Sequence, residues 1–95
     1  MVKRPLILVA EDEDNDFFLL NWAFGKHPQK VSLTRAADGV QAIDYLCGAN
    51  EFSDRERFPL PDLLVLDLKM PRRDGFEVLQ AVRSHSITKP LVAIV

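Results

Sequence analysis

Leu6 to Ala10 and Leu63 to Leu66 are each apolar without a break. Neither alternates with polar residues, so each reads as a strand covered on both faces, as in a parallel sheet. Residues 31–36 follow another rule. Val31, Leu33 and Arg35 alternate with Ser32 and Thr34, the half-polar pattern of an edge strand. Pro90 introduces a fourth strand over 91–95. Between these runs the spacing is helical. From about Asp14 to Gly25, Phe17, Leu20 and Phe24 make an inner stripe, which Phe18, Trp22 and Ala23 widen. Asp14 or Asn15 suits the start of that helix and Gly25 its end. Asp38-Gly39 is a turn ahead of a second helix over 40–47, with Val40, Ile43 and Leu46 on one face. A third helix, from about Gly75 to Ser84, turns Val78, Leu79 and Val82 inward. Strand and helix alternate throughout, which predicts an α/β domain with right-handed crossovers and a parallel sheet. The connection 48–61 is longer than most between a helix and a strand.

Composition narrows this picture little. Ninety-five residues make one small domain, with ordinary apolar (47%) and charged (27%) content. A net charge of −2 gives no global pull toward nucleic acid or a membrane. The single cysteine, Cys47, excludes an internal disulfide, and its place late in an apolar helix predicts a buried thiol. No apolar run approaches the roughly 18 residues of a membrane span, and no secretory leader is visible, so a cytoplasmic chain is expected.

The chemistry lies where the apolar runs stop. The third strand runs straight into Asp67, and ligands of open α/β sheets gather outside the carboxyl ends of the strands. The first strand stops at Glu11-Asp12-Glu13-Asp14-Asn15-Asp16, five acids in six residues. Such crowding gains a fold nothing unless a cation or water separates the charges. Two parallel strands side by side would bring Glu11 and Asp12 close to Asp67, and hard oxygen ligands of this kind suit Mg2+. Glu13, Asp14 and Asp16 read more simply as acids favoured at a helix start. Lys69, Arg72 and Arg73 read as solvated loop charges rather than guides for an anionic donor. Asp74-Gly75 is a turn and the entry to the third helix. His27 and His85 lack partners at metal-ligand spacing and read as surface residues. Trp22 and the phenylalanines belong to a core or an interface, because no basic face accompanies them for base stacking.

Glu11-Asp12, then Asp67, Met70-Pro71 and Asp74-Gly75, occur in an order that resembles the receiver domain of two-component response regulators. The resemblance implies a flavodoxin-like α/β/α fold with strand order 2-1-3-4, the family's fifth strand and last two helices lying outside this chain. It implies that Asp67 is the phosphoacceptor and a direct Mg2+ ligand, that Asp12 is the other direct carboxylate ligand, that Glu11 acts through water and that Lys69 offers its main-chain carbonyl. The implied donor is a phosphohistidine on a sensor histidine kinase. The family catalyses its own aspartyl phosphorylation and dephosphorylation and is not a conventional enzyme. The long 48–61 connection is similar to that of receivers associated with bacterial phytochromes, which makes a phytochrome-like kinase one candidate partner. Val95 falls at or just before the family's switch Thr or Ser. On this reading residues 1–95 are a partial receiver domain. Its last strand would be an open sheet edge and the apolar side chains of the first helix would be uncovered, so a fragment, a homodimer or a swapped oligomer is expected. The alternative is a degenerate receiver that serves only as a protein-interaction module. A metal-dependent phosphohydrolase would need an acid where Lys69 stands, and nucleotide or flavin binding would need a glycine-rich loop after the first strand.

Overall fold

Strands β1 (Leu6–Ala10) and β3 (Leu63–Leu66) lie side by side at the centre of a four-stranded parallel sheet of order β2-β1-β3-β4. The outer strands are β2 (Ser32–Ala36) and β4 (Val92–Ile94). The computed structural model describes residues 4–26, 30–70, 72, 74–85, 88 and 90–95. His27, Pro71 and Arg73 therefore lie outside the described residues. Three helices complete the order of elements: α1 (Asp14–Gly25) after β1, α2 (Gly39–Cys47) after β2 and α3 (Gly75–Ser84) after β3. The expected strand order, the three helices and the parallel sheet are all present.

Register explains why the central strands lack alternation. Leu8 pairs with Leu64 and Leu64 with Ala93, while Val9 pairs with Val65 and Val65 with Ile94. Side chains alternate across a strand, so these rows face opposite layers. Leu8, Ala10, Leu64 and Leu66 pack with Ala42, Tyr45 and Leu46 of α2 and with Val78 and Val82 of α3, forming one core cluster. The opposite face holds Ile7 and Val9, both buried, but grades outward to exposed Val92 and Ile94 on β4. Among the described residues, no strand pairs with the outer edge of β4.

The inner stripe of α1 has the expected position but a shallower depth. Phe17, Leu20 and Phe24 are half-buried, while Phe18 and Trp22 are exposed, and the helix has no fully buried residue. Its N-cap is Glu13, without a side-chain capping bond, not Asp14 or Asn15. In α2 the buried set is Gly39, Ala42, Tyr45 and Leu46, so the helix is turned relative to the expected Val40, Ile43 and Leu46 face. The large aromatic Tyr45 accounts for this. Its ring fills the core while its hydroxyl donates to the Pro59 carbonyl at 2.8 Å.

Cys47 is exposed, contrary to the expected buried thiol. One helical step past buried Leu46 carries it off the inward face, and its Sγ lies 3.7 Å from Nε2 of exposed His85. The long connection is also not structureless. A 3₁₀ turn at Asn50–Phe52 opens it, and Tyr45, Phe52 and Phe58 meet ring to ring with centroids 5.1–6.1 Å apart. Arg55 donates to the carbonyls of Tyr45 (2.7 Å), Leu46 (2.8 Å) and Phe58 (3.2 Å), closing the end of α2. Gly48 makes this approach possible. It ends α2 in the left-handed region (φ 66°), where a Cβ would meet the Arg55 guanidinium at 2.9 Å.

Candidate functional site

Pairing of β1 with β3 sets the Ala10 and Leu66 ends level, so the residues that follow each strand emerge side by side. The Asp67 amide donates to the Ala10 carbonyl at 3.0 Å and the Glu11 amide to the Ala36 carbonyl at 3.0 Å, which extends both junctions past the strands. Carboxylate oxygens of Glu11, Asp12 and Asp67 then all lie within 4.8 Å of one another. Glu11 is buried, Asp67 half-buried and Asp12 exposed. An open depression of about 440 Å³ at this rim is lined by Glu11, Asp16, Asp67 and Lys69 with Leu20 and Val95. Lys69 donates its amide to Asp67 Oδ1 at 2.9 Å, so the carboxylate is held by the turn that follows it.

Burial does most to push the Glu11 carboxyl above its ordinary range. The charge of Asp67 and a hydrogen bond shared with it act in the same direction, as does the charge of Asp16, and the Glu13 amide, donating to Glu11 Oε2 at 3.1 Å, opposes them. Three carboxylates facing one another at this spacing form a donor set of hard oxygens. Oxygens no more than 4.8 Å apart are close enough to share one divalent cation, directly or through its bound water. The residues present therefore fit a divalent cation. A stability consequence follows from the raised Glu11. The folded chain holds the Glu11 proton more tightly than the unfolded chain does. That contribution is full below the ordinary glutamate pKa of 4.5 and is lost as pH rises through the higher folded value. Metal-free wild type is expected to lose melting temperature across that window relative to Glu11→Gln, and added Mg2+ to restore it. Parallel melting curves of the two chains from pH 4 to 8 check this, and superimposable curves would count against it.

The flanking charges have separate placements. Asp16 lines the depression, which its reading as a helix-start acid did not anticipate. Arg35, read only as part of the β2 alternation, reaches across the rim to the acidic loop: Nε donates to the Glu11 carbonyl at 2.9 Å and Nη1 to Asp14 at 2.7 Å. No local signal marks this contact, because its partners lie 21 and 24 residues away. Arg72 has a left-handed backbone (φ 68°) and an ion pair with Asp38 at 3.0 Å. The other carboxylate oxygen of Asp38 caps α2 by accepting from the Gln41 amide at 2.8 Å. Asp74 caps α3 in the same way, through the Glu77 amide at 3.0 Å, as its place at the entry to that helix suggested.

Fold and site together describe a doubly wound α/β protein with an acidic pocket at the carboxyl rim of its two central strands. The chain belongs to the response regulator receiver domain family, whose model matches residues 7–95. It is 30% identical over 90 residues to Response regulator Rcp1 of Synechocystis, covering 95% of this chain and 59% of that relative. Among solved structures, the phosphorylated cyanobacterial phytochrome response regulator RcpA superposes with a TM-score of 0.87 at 28% identity, covering 96% of this chain and 63% of that one. A response regulator in red light signaling of R. palustris gives a TM-score of 0.85 at 39% identity, covering 94% and 62%. The Mn2+-bound form of Rcp1 also superposes, with a TM-score of 0.85 at 29% identity over 94% of this chain and 62% of that one. The chain thus spans about three fifths of the length of these relatives, and its near structural neighbours are phytochrome-associated response regulators. Among the described residues no helix is long and apolar enough to cross a membrane.

Proposed function

We propose that this chain is a phosphoacceptor in two-component signalling, in which Asp67 takes a phosphoryl group from a phosphohistidine on a sensor histidine kinase. The carrying observation is the convergence of Glu11, Asp12 and Asp67 at the rim of adjacent strands in a chain of the receiver family. An Asp67 carboxylate oxygen forms the new bond to phosphorus as the bond from phosphorus to imidazole nitrogen breaks. The electron pair leaves with the imidazole, which takes up a proton. The Lys69 amide holds Asp67 in one orientation before the donor arrives, so little rotational freedom is lost at the reaction. Asp12 and Asp67 would hold Mg2+ directly, Glu11 through water and Lys69 by its main-chain carbonyl. When bound, the cation supplies the positive charge that lets two anions meet. The phytochrome response regulators among its structural neighbours support a phytochrome-like kinase as donor, and the same reading puts the chain in the cytoplasm.

Incubation with acetyl phosphate and Mg2+ tests this reading. The expected result is a labile mass gain that maps to Asp67. A folded wild type that takes up no phosphoryl group, under conditions that label a complete receiver, would overturn it. That outcome would select the second reading, a protein-interaction module with receiver ancestry. Phe18, Leu19 and Trp22 on α1, with Val92, Ile94 and Val95 at the sheet edge, are exposed and favour self-association through this side. A concentration-dependent dimer in sedimentation would be its mark.

A further inference from the structure

Of the basic side chains described, Arg35 alone is tied directly to the acidic loop, and the proposed phosphoryl chemistry gives it no role. Its guanidinium spans the loop at three places. Nε donates to the main-chain carbonyl of Glu11, Nη1 to the carboxylate of Asp14, and the guanidinium carbon sits 5.3 Å from the centre of the Phe17 ring. These are the strand end, the first residue of α1 and its first turn. The loop needs such a tie. Glu13 caps α1 without a side-chain hydrogen bond and the helix buries no residue, so neither the usual cap nor packing depth holds the chain as it leaves β1. Arg35 is itself well anchored, on β2 opposite Val9 of β1, with its side chain 25% exposed.

We propose that Arg35 is a positioning residue that holds the Glu11–Asp14 loop in the geometry from which Glu11 and Asp12 share a divalent cation with Asp67. This rests on the cation reading of the site given above. Two physical effects of Arg35 on that cation have opposite signs, which makes the role measurable. As a positive charge beside the acids, it repels a cation, so its removal would tighten binding if charge alone mattered. As a fork that fixes the loop, it keeps the carboxylates in place, so its removal weakens binding. Outer-shell partners that orient metal ligands commonly change affinity by about 10–100-fold. Lysine keeps the charge but not the planar fork that reaches two acceptors in fixed directions.

The experiment uses the whole chain as wild type, Arg35→Met and Arg35→Lys, with two readouts. Mn2+ affinity is measured from the spin-resonance signal of the free ion. Amide exchange of the metal-free chain is followed at Glu13, with Leu8 and Val9 reporting that the sheet is intact. The expected result is Mn2+ binding weakened roughly 10-fold in Arg35→Met, at the lower end of the outer-shell range. Little recovery is expected in Arg35→Lys, and Glu13 exchange should be faster in both at unchanged Leu8 and Val9 exchange. Equal or tighter Mn2+ binding in Arg35→Met, or Glu13 exchange as slow as in wild type, would overturn the proposal. A wild type that binds no Mn2+ would instead overturn the cation reading, while Glu13 exchange would still decide whether Arg35 holds the loop.

Discussion

An Asp67→Asn chain is expected to take up no phosphoryl group from acetyl phosphate and, free of metal, to melt at a higher temperature than wild type. Both halves come from the same crowding. Asparagine has no carboxylate oxygen to attack phosphorus, so the acyl phosphate cannot form at this position. The substitution also removes one charge from a set whose oxygens lie within 4.8 Å of one another, one of them on buried Glu11. Two unit charges 4 Å apart repel by about 1 kcal/mol in water and about 4 kcal/mol at the effective dielectric of a protein surface. A net gain near the lower figure corresponds to a rise of about 4–8 °C in a domain of this size. Loss of function with a gain in stability is the opposite of what misfolding produces. Mass spectrometry and a melting curve on the same preparation decide the matter. A variant that still labels would move the acceptor elsewhere, and one that melts lower would remove the argument from charge crowding.

Gly75→Ala is expected to destabilise the chain by about 1–3 kcal/mol, the usual cost of forcing an extra methyl into a packed site. Helix propensity alone points the other way, since alanine inside a helix is favoured over glycine by about 1 kcal/mol. Contact geometry decides between them. A Cβ on Gly75, at the first position of α3, would stand 2.6 Å from both the Asp67 carbonyl oxygen and the Leu68 Cα. Both are backbone atoms, so the clash cannot be relieved by turning a side chain. With α3 held in place by its packing, relief falls on the turn that follows β3, and with it on the Asp67 carboxylate. Acyl-phosphate formation is therefore expected to slow by about 10–100-fold, because displacements near 1 Å can cost that much in rate. Urea unfolding reports the stability and time-resolved mass spectrometry the rate. A variant more stable than wild type would show that propensity wins and that α3 can move away from β3.

The strands were easy to find because a strand covered on both faces cannot carry polar residues, and Leu6–Ala10 and Leu63–Leu66 carry none. The acidic pocket was legible for the converse reason: five acids in six residues are too unfavourable to stand together without cause. Strand order was a different matter. Nothing in the spacing of apolar residues says which strands are neighbours, and the order β2-β1-β3-β4 was expected from resemblance to a family. Cys47 was misplaced, and the roles of Tyr45 and Arg35 went unread. Tyr45 has a polar tip that disguises a core ring, and the Pro59 carbonyl that satisfies it lies 14 residues on. Cys47 has an apolar neighbourhood in sequence, yet it sits one helical step off the buried side. Arg35 alternates like an edge residue and only its long reach across the rim gives it a purpose. Side chains that act at a distance leave no periodic trace.

Asp38 divides its two oxygens between structures that are far apart in sequence. One secures the first turn of α2, and the other grips Arg72, whose left-handed backbone lies five residues beyond Asp67. The two are thereby geared together through a single rigid carboxylate plane. A partner that draws the Arg72 guanidinium away leaves Asp38 with only its bond at the foot of α2, the helix whose inner face helps to make the hydrophobic core beneath the pocket.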